Sequence, residues 1–175
     1  MQDPDLRALV DRRAIEDVIL QYCRGIDRMD RERVRACYHP DATDDHGSFK
    51  GDVEAFLAWV FRLLGRYTNT MHFVGNILVE LAGDIAAAET YGIAFHRSKD
   101  PAPHLNLMTG FRYLDRFERR DGEWRIAART AVTEWARVDD TRGRFDVPAT
   151  LPSGERGAGD ALYALLADVG IGSSS

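Results

Sequence analysis

The apolar positions in the first part of the chain recur at helical spacing. Ile15, Val18, Ile19, Tyr22, Cys23 and Ile26 fall three and four residues apart, so one face of a helix carries them all. Asp3-Pro4 predicts a short helix ahead of it, because proline suits a first helical turn. Asp30 is placed to cap a second short helix, Arg31 to Cys37, which ends before His39-Pro40. The polar segment from Asp41 to Gly47 reads as turn-like, with room for one short strand. Asp52 then caps a third helix, whose stripe is Val53, Phe56, Leu57, Val60, Leu63, Leu64 and Tyr67.

Beyond Thr70 the pattern changes to β-branched and aromatic runs. They predict strands over Thr70 to Glu80, Ile85 to Arg97, Leu105 to Arg119 and Glu123 to Val138. Gly83-Asp84 and Arg120-Asp-Gly122 supply tight turns, and Ser98 to Pro103 reads as a loop. Short turns imply an antiparallel sheet. Helices first and a long curled sheet afterwards imply an α+β fold with the helices covering one face. Past Val147, prolines and glycines mark another loop. Asp160 there caps a short helix containing Leu162, Leu165, Leu166 and Val169, and the final Gly-Ser-Ser-Ser predicts a disordered tail. The chain thus divides into a domain over 1–147 and an extension over 148–175.

Composition narrows the function classes. A chain of 175 residues, 45% hydrophobic and 29% charged, suits one compact globular domain. A net charge of −5 counts against nucleic acid as a partner, which needs a basic face. No apolar run approaches a membrane span, and the N-terminal segment MQDPDLRALVDRR lacks the apolar stretch of a secretion signal. A cytoplasmic protein is expected. Cys23 and Cys37 fall in predicted helices and read as buried thiols of a reducing compartment. No Cys/His spacing suggests structural zinc, and no cofactor motif stands out.

Several short motifs carry a family resemblance. Tyr22-Cys-Arg-Gly-Ile-Asp27-Arg-Met-Asp30 is followed by Tyr38-His-Pro-Asp-Ala42, then by Thr70-Met-His72-Phe-Val-Gly-Asn76, Glu89-Thr-Tyr91 and Gly122-Glu-Trp-Arg-Ile126. Over roughly Leu6 to Val138 the chain resembles the SnoaL-like branch of the nuclear-transport-factor-2-like superfamily. The resemblance implies a cone-shaped curved sheet, wrapped by about three helices and closed around a deep pocket. That superfamily includes scytalone dehydratase, bile-acid dehydratase, a hexachlorocyclohexane dehydrochlorinase, ketosteroid isomerase and polyketide cyclases, along with members that do no chemistry.

The resemblance assigns roles to particular positions. Asp27 and His72 match a carboxylate–histidine pair in which the imidazole is the general base. The chemistry is sound in itself. A neutral imidazole titrates near neutrality, and a carboxylate behind it fixes the tautomer. On helical geometry alone Asp27 lies at the edge of the apolar stripe, and His72 reads equally as a core histidine. Tyr22 matches a tyrosine that polarises substrate, or it is a core aromatic. His96 matches more loosely a second histidine that protonates a leaving group. Arg129 is either a buried anion-holding group or a surface charge.

Tyr91, Phe111 and Trp59 belong with the other aromatics as core or pocket wall. His39, Asp41, Asp44, Asp45 and His46 form a cluster rich in oxygen and nitrogen. Its spacing fits no metal motif, and hydrogen bonding that shapes a loop at the mouth is the expectation.

The leading expectation is a cofactor-free lyase or isomerase acting on a hydrophobic cyclic small molecule, with dehydration ahead of isomerisation or cyclisation. The alternative is a binding or assembly domain without chemistry, including a structural subunit like the small chain of ring-hydroxylating dioxygenases. The resemblance implies a homo-oligomer, dimer or trimer, that associates through the outer sheet face.

Overall fold

The computed structural model describes residues 4–98, 106–139 and 151–171. Helix α1 runs unbroken from Pro4 to Arg28, so the separate short helix expected at its start is absent. No glycine or proline between Asp5 and Arg24 interrupts it. Its buried face carries Ile15, Ile19, Tyr22, Cys23 and Ile26, as the spacing predicts. Its first half is anchored by a polar residue instead. Buried Asp11 accepts from the Trp124 indole N–H at 2.9 Å and from Arg119 at 2.8 Å.

The end of α1 explains the Tyr22–Asp30 motif. Met29 adopts φ 58°, and the Asp30 N–H donates to the Gly25 carbonyl at 2.8 Å, which ends the helix sharply. Asp30 accepts from the Arg33 N–H at 3.0 Å and so caps α2, Arg31–Ala36. Gly25 lets the two helices approach, since a Cβ there would meet Val34 at 2.6 Å. Asp52 caps α3, Val53–Leu64, through the Ala55 N–H at 2.9 Å. Tyr67, placed by its spacing on the α3 stripe, opens a strand instead, because the helix stops at Gly65.

Strands β1 (Tyr38–Asp45), β2 (Lys50–Asp52), β3 (Tyr67–Ala82), β4 (Ile85–Ser98), β5 (Asn106–Arg120) and β6 (Glu123–Asp139) form one sheet in the order β2-β1-β6-β5-β4-β3. β3 to β6 pair antiparallel. The sheet as a whole is mixed rather than antiparallel, because β1 pairs parallel with β6. No hairpin joins those two strands, so turn chemistry does not set their relative direction. Most of the segment that reads as turn is β1, with Ala42 and Asp44 buried on alternate positions.

α1 packs on β3 and β6, and α3 on β1, which encloses a core of Ile15, Ile19, Phe56, Leu57, Phe117 and Ile126. The fold is therefore α+β with an open curved sheet. Cys23 and Cys37 are free and buried, and burial pushes both thiols up to about 12.

In the extension, Asp160 caps α4, Ala161–Asp168, by accepting from the Leu162 N–H at 3.2 Å. The loop expected at Ser98 to Pro103 lies, after Ser98, outside the described residues. So do the Pro148 end of the second loop and the Ser tail, and the division at 147 falls there too. Among the described residues no helix is long and apolar enough to cross a membrane.

Candidate active site

The sheet's inner face and two helices enclose a cavity of about 160 Å³. β3 contributes His72, β4 contributes Ala94 and His96, β5 contributes Thr109, Phe111 and Tyr113, and β6 contributes Ala131 and Thr133. Tyr22 and Ile26 of α1, Trp59 and Val60 of α3, and His46 just beyond β1 complete most of the wall. Larger hollows lie on the outside: 990 Å³ between α1, α2 and α4, and 550 Å³ beside the start of α1. Neither is lined by a histidine, whereas the smaller cavity is lined by His46, His72 and His96.

His72 lines this wall, and Asp27 meets it there. One Asp27 oxygen accepts from the His72 ring at Nδ1, 2.7 Å away, and the other accepts from the His72 backbone N–H at 2.9 Å. Both side chains are almost out of solvent, at 12% and 8% exposure. Asp27 does sit at the edge of the helix stripe, and β3 runs along that edge. An ionised carboxylate only accepts, so the imidazole carries its proton on Nδ1 and presents Nε2 as a base.

His96 stands close by, with its ring centroid 5.9 Å from that of His72. Its pKa is pushed down to about 4, chiefly by burial, with His72 and Arg156 adding repulsion. Tyr22 is buried against Tyr38 and Tyr113, and burial pushes its phenol up. Trp59 and Phe111 form wall, as expected. Gly92 makes room for Phe111, because a Cβ there would collide with the Phe111 ring.

Two expected site residues lie elsewhere. Tyr91 is on the outer sheet face, 42% exposed beside Arg112, because strand alternation turns Thr90 inward and Tyr91 out. Arg129 is wholly buried but not free. It is held bidentate by Asp115, at 2.7 Å for each bond, between the rings of Tyr22 and Tyr113 at 4.1 and 3.9 Å. It lies behind the cavity wall and supports two of the wall's aromatics. Asn76 shares strand parity with His72 only in an ideal strand. It is a bulge residue at φ 50° and points outward.

The end of β1 and the residue just past it hold side chains that sequence reasoning undervalued. Asp44 is buried, accepts from the Tyr38 hydroxyl at 2.7 Å and pairs with His46 Nδ1. The His46 ring stacks on Phe56 with centroids 4.9 Å apart. Ala42, Asp44 and His46 share strand parity, which was the available signal. Among the described residues no group of His, Cys, Asp and Glu has metal-binding geometry. Arg156 of the extension was also missed. It donates to the Leu64 and Tyr67 carbonyls at 3.0 and 2.7 Å and to the Thr70 hydroxyl at 3.0 Å, at the cavity's edge.

A curved, open sheet covered by helices, with a cavity on its inner face, defines a class of small pocket-bearing domains. The chain belongs to the SnoaL-like domain family, whose model matches residues 7–130. An uncharacterized protein of Mycobacterium tuberculosis (strain ATCC 25618 / H37Rv) is 28% identical over 123 residues, covering 68% of this chain and 82% of that protein. A provisionally named scytalone dehydratase of Novosphingobium aromaticivorans DSM 12444 superposes with TM-score 0.68 at 22% identity, covering 79% of this chain and 97% of that one. The type 3 hexachlorocyclohexane dehydrochlorinase of Novosphingobium barchaimii LL02 gives TM-score 0.72 at 19% identity, covering 82% and 99%. These similarities establish a shared fold.

Proposed function

We infer that this protein is a cofactor-independent lyase of the dehydratase type, acting on a hydrophobic cyclic small molecule. The observation that carries this reading is the double bond from Asp27 to the ring and backbone of His72, at the wall of an apolar cavity. His72 Nε2 takes a proton from a carbon next to a carbonyl. Asp27 holds the tautomer and balances the imidazolium that forms. Tyr22 lines the same wall, and in this reading its hydroxyl stabilises the developing oxyanion.

The cavity of about 160 Å³ matches a single carbocycle, since apolar cavities near 150 Å³ take up benzene. Isomerisation uses the same first step and stands second. The dehydratase and dehydrochlorinase names of two fold relatives agree with elimination. A binding or assembly domain would not require this hydrogen-bonded pair, so the pair supports the enzymatic reading.

Monocyclic β-hydroxyketones such as 3-hydroxycyclohexanone test the assignment, with enone absorbance as the readout. His72→Ala is expected to lose at least about a hundredfold in turnover. A much smaller loss removes His72 as the base.

The outer sheet face supports a homo-oligomer, dimer or trimer. Phe73, Tyr91, Ile93 and Trp135 are exposed there and border one shallow hollow. Sedimentation of the wild type as a monomer would count against it.

A further inference from the structure

The cavity has a second histidine–carboxylate pair that the reading above leaves unused. His46 lines it from the α3 side, where its ring stacks on Phe56 and lies 6.2 Å from Trp59. On the sheet side its nearest ring is Tyr113, at 6.0 Å. Tyr113 lies 4.5 Å from Phe111, and Phe111 lies 5.9 Å from His72. The two imidazoles therefore flank a floor of two aromatic rings, one at each end.

Each imidazole is held through Nδ1 by a carboxylate, which leaves Nε2 as the nitrogen available to a ligand. Asp44 is fully buried, and its second oxygen is taken by the Tyr38 hydroxyl. Its neighbour Arg129 is already neutralised by Asp115. The His46 ring is thus the group that pairs with Asp44 inside the fold. A buried carboxylate that accepts from Tyr38 through one oxygen and pairs with a cavity-facing ring through the other is an arrangement for orienting that ring.

We propose that His46 is a second catalytic residue, the acid that protonates the departing oxygen of a β-hydroxycarbonyl substrate. This assignment rests on His72 being the base. The C–H bond breaks and its proton goes to His72 Nε2, while its electron pair forms the C=C bond. The C–O bond breaks towards oxygen, which takes the Nε2 proton of the His46 imidazolium and leaves as water; the ring left behind is the neutral Nδ1–H form. His72 then returns its proton to His46 through solvent, and no other reactant is consumed. The substrate class follows: a single ring carrying its acidic C–H and its hydroxyl towards opposite ends of the cavity.

A leaving-group comparison tests this. 3-Hydroxycyclohexanone needs an acid for its hydroxyl, whereas 3-acetoxycyclohexanone loses acetate without one. His46→Gln is expected to slow the hydroxyl substrate by at least about a hundredfold and the acetoxy substrate by less than about threefold. Asp44→Asn, which keeps the side-chain volume, is expected to show the same selectivity with a smaller loss. His72→Gln is expected to slow both substrates.

If His72→Gln spares both, the lyase reading itself fails. If His72→Gln slows both while His46→Gln slows both equally or neither, only the His46 assignment fails. Imidazole ¹⁵N–¹H spectra add a readout that needs no turnover. Neutral His46 is expected as the Nδ1–H tautomer, and that tautomer should be lost in Asp44→Asn. An Nε2–H tautomer in the wild type would overturn the proposal.

Discussion

Asp27 grips His72 at two points, accepting from its ring and from its own backbone N–H, so the carboxylate fixes the strand as well as the imidazole. Helix α1 and strand β3 are thereby joined at His72. Asp27→Asn keeps the side-chain shape but can offer only one acceptor to these two donors. Turnover is expected to fall by about a hundredfold or more, as the ring loses its enforced tautomer. Stability should fall by about 1–3 kcal/mol from the donor left unpaired. Steady-state kinetics and urea unfolding on the same preparation separate the two effects. An unchanged turnover would show that Asp27 serves only to join helix and strand.

Gly92 and Phe111 are cross-strand partners, and the ring lies over the glycine. Gly92→Ala therefore forces Phe111 toward the cavity it lines. Overpacking of this kind costs about 1–3 kcal/mol. The variant is expected to lose affinity for single-ring ligands while its far-UV spectrum stays native. Titration with cyclohex-2-enone measures the affinity, and an unchanged dissociation constant would show that the ring moves away from the cavity instead.

Much of this architecture was legible because periodicity reports burial directly. The α1 and α3 stripes, the Asp30, Asp52 and Asp160 caps, and the four long strands all follow from local rules. Parallel pairing of β1 with β6 was not legible, since it depends on contacts between distant segments. Asp27 and His72 were found through motif resemblance, because helix geometry alone left Asp27 at the margin of the stripe. Asp44 and His46 were read as loop-formers because polar residues favour turns. Only the sheet reveals them as an inward-facing row. Tyr91 failed for the opposite reason: an aromatic in a strand gives no sign of which face it takes until the register is known.

Arg129 and Asp115 form an ion pair with no exposure of either side chain. Removing one partner leaves a buried charge, so Arg129→Met is expected to destabilise by about 3–5 kcal/mol. Replacing both partners by apolar residues of similar volume should recover much of the loss, since the pair's desolvation cost disappears with it. Thermal and urea unfolding of the single and double variants check this. A double variant no more stable than Arg129→Met would mean that the pair is needed for more than charge balance, for instance to seat Tyr22 and Tyr113.

His96 links stability to pH. Its folded pKa of about 4 lies below the ordinary 6.5, so between these values the unfolded chain binds the proton and the folded one does not. The stabilisation from keeping this ring neutral is full above pH 6.5 and is lost as pH falls toward 4. It amounts to about 3 kcal/mol at most. Burial is the main cause, and the guanidinium of Arg156 adds to it from the C-terminal extension. Arg156→Gln should therefore let His96 titrate at higher pH, and it should loosen the extension from the Leu64 and Tyr67 carbonyls. Imidazole NMR titration reads the first effect, and limited proteolysis of the extension reads the second. A His96 titration unchanged in Arg156→Gln would mean that burial and His72 keep the ring neutral, and that the extension has no electrostatic hold on the site.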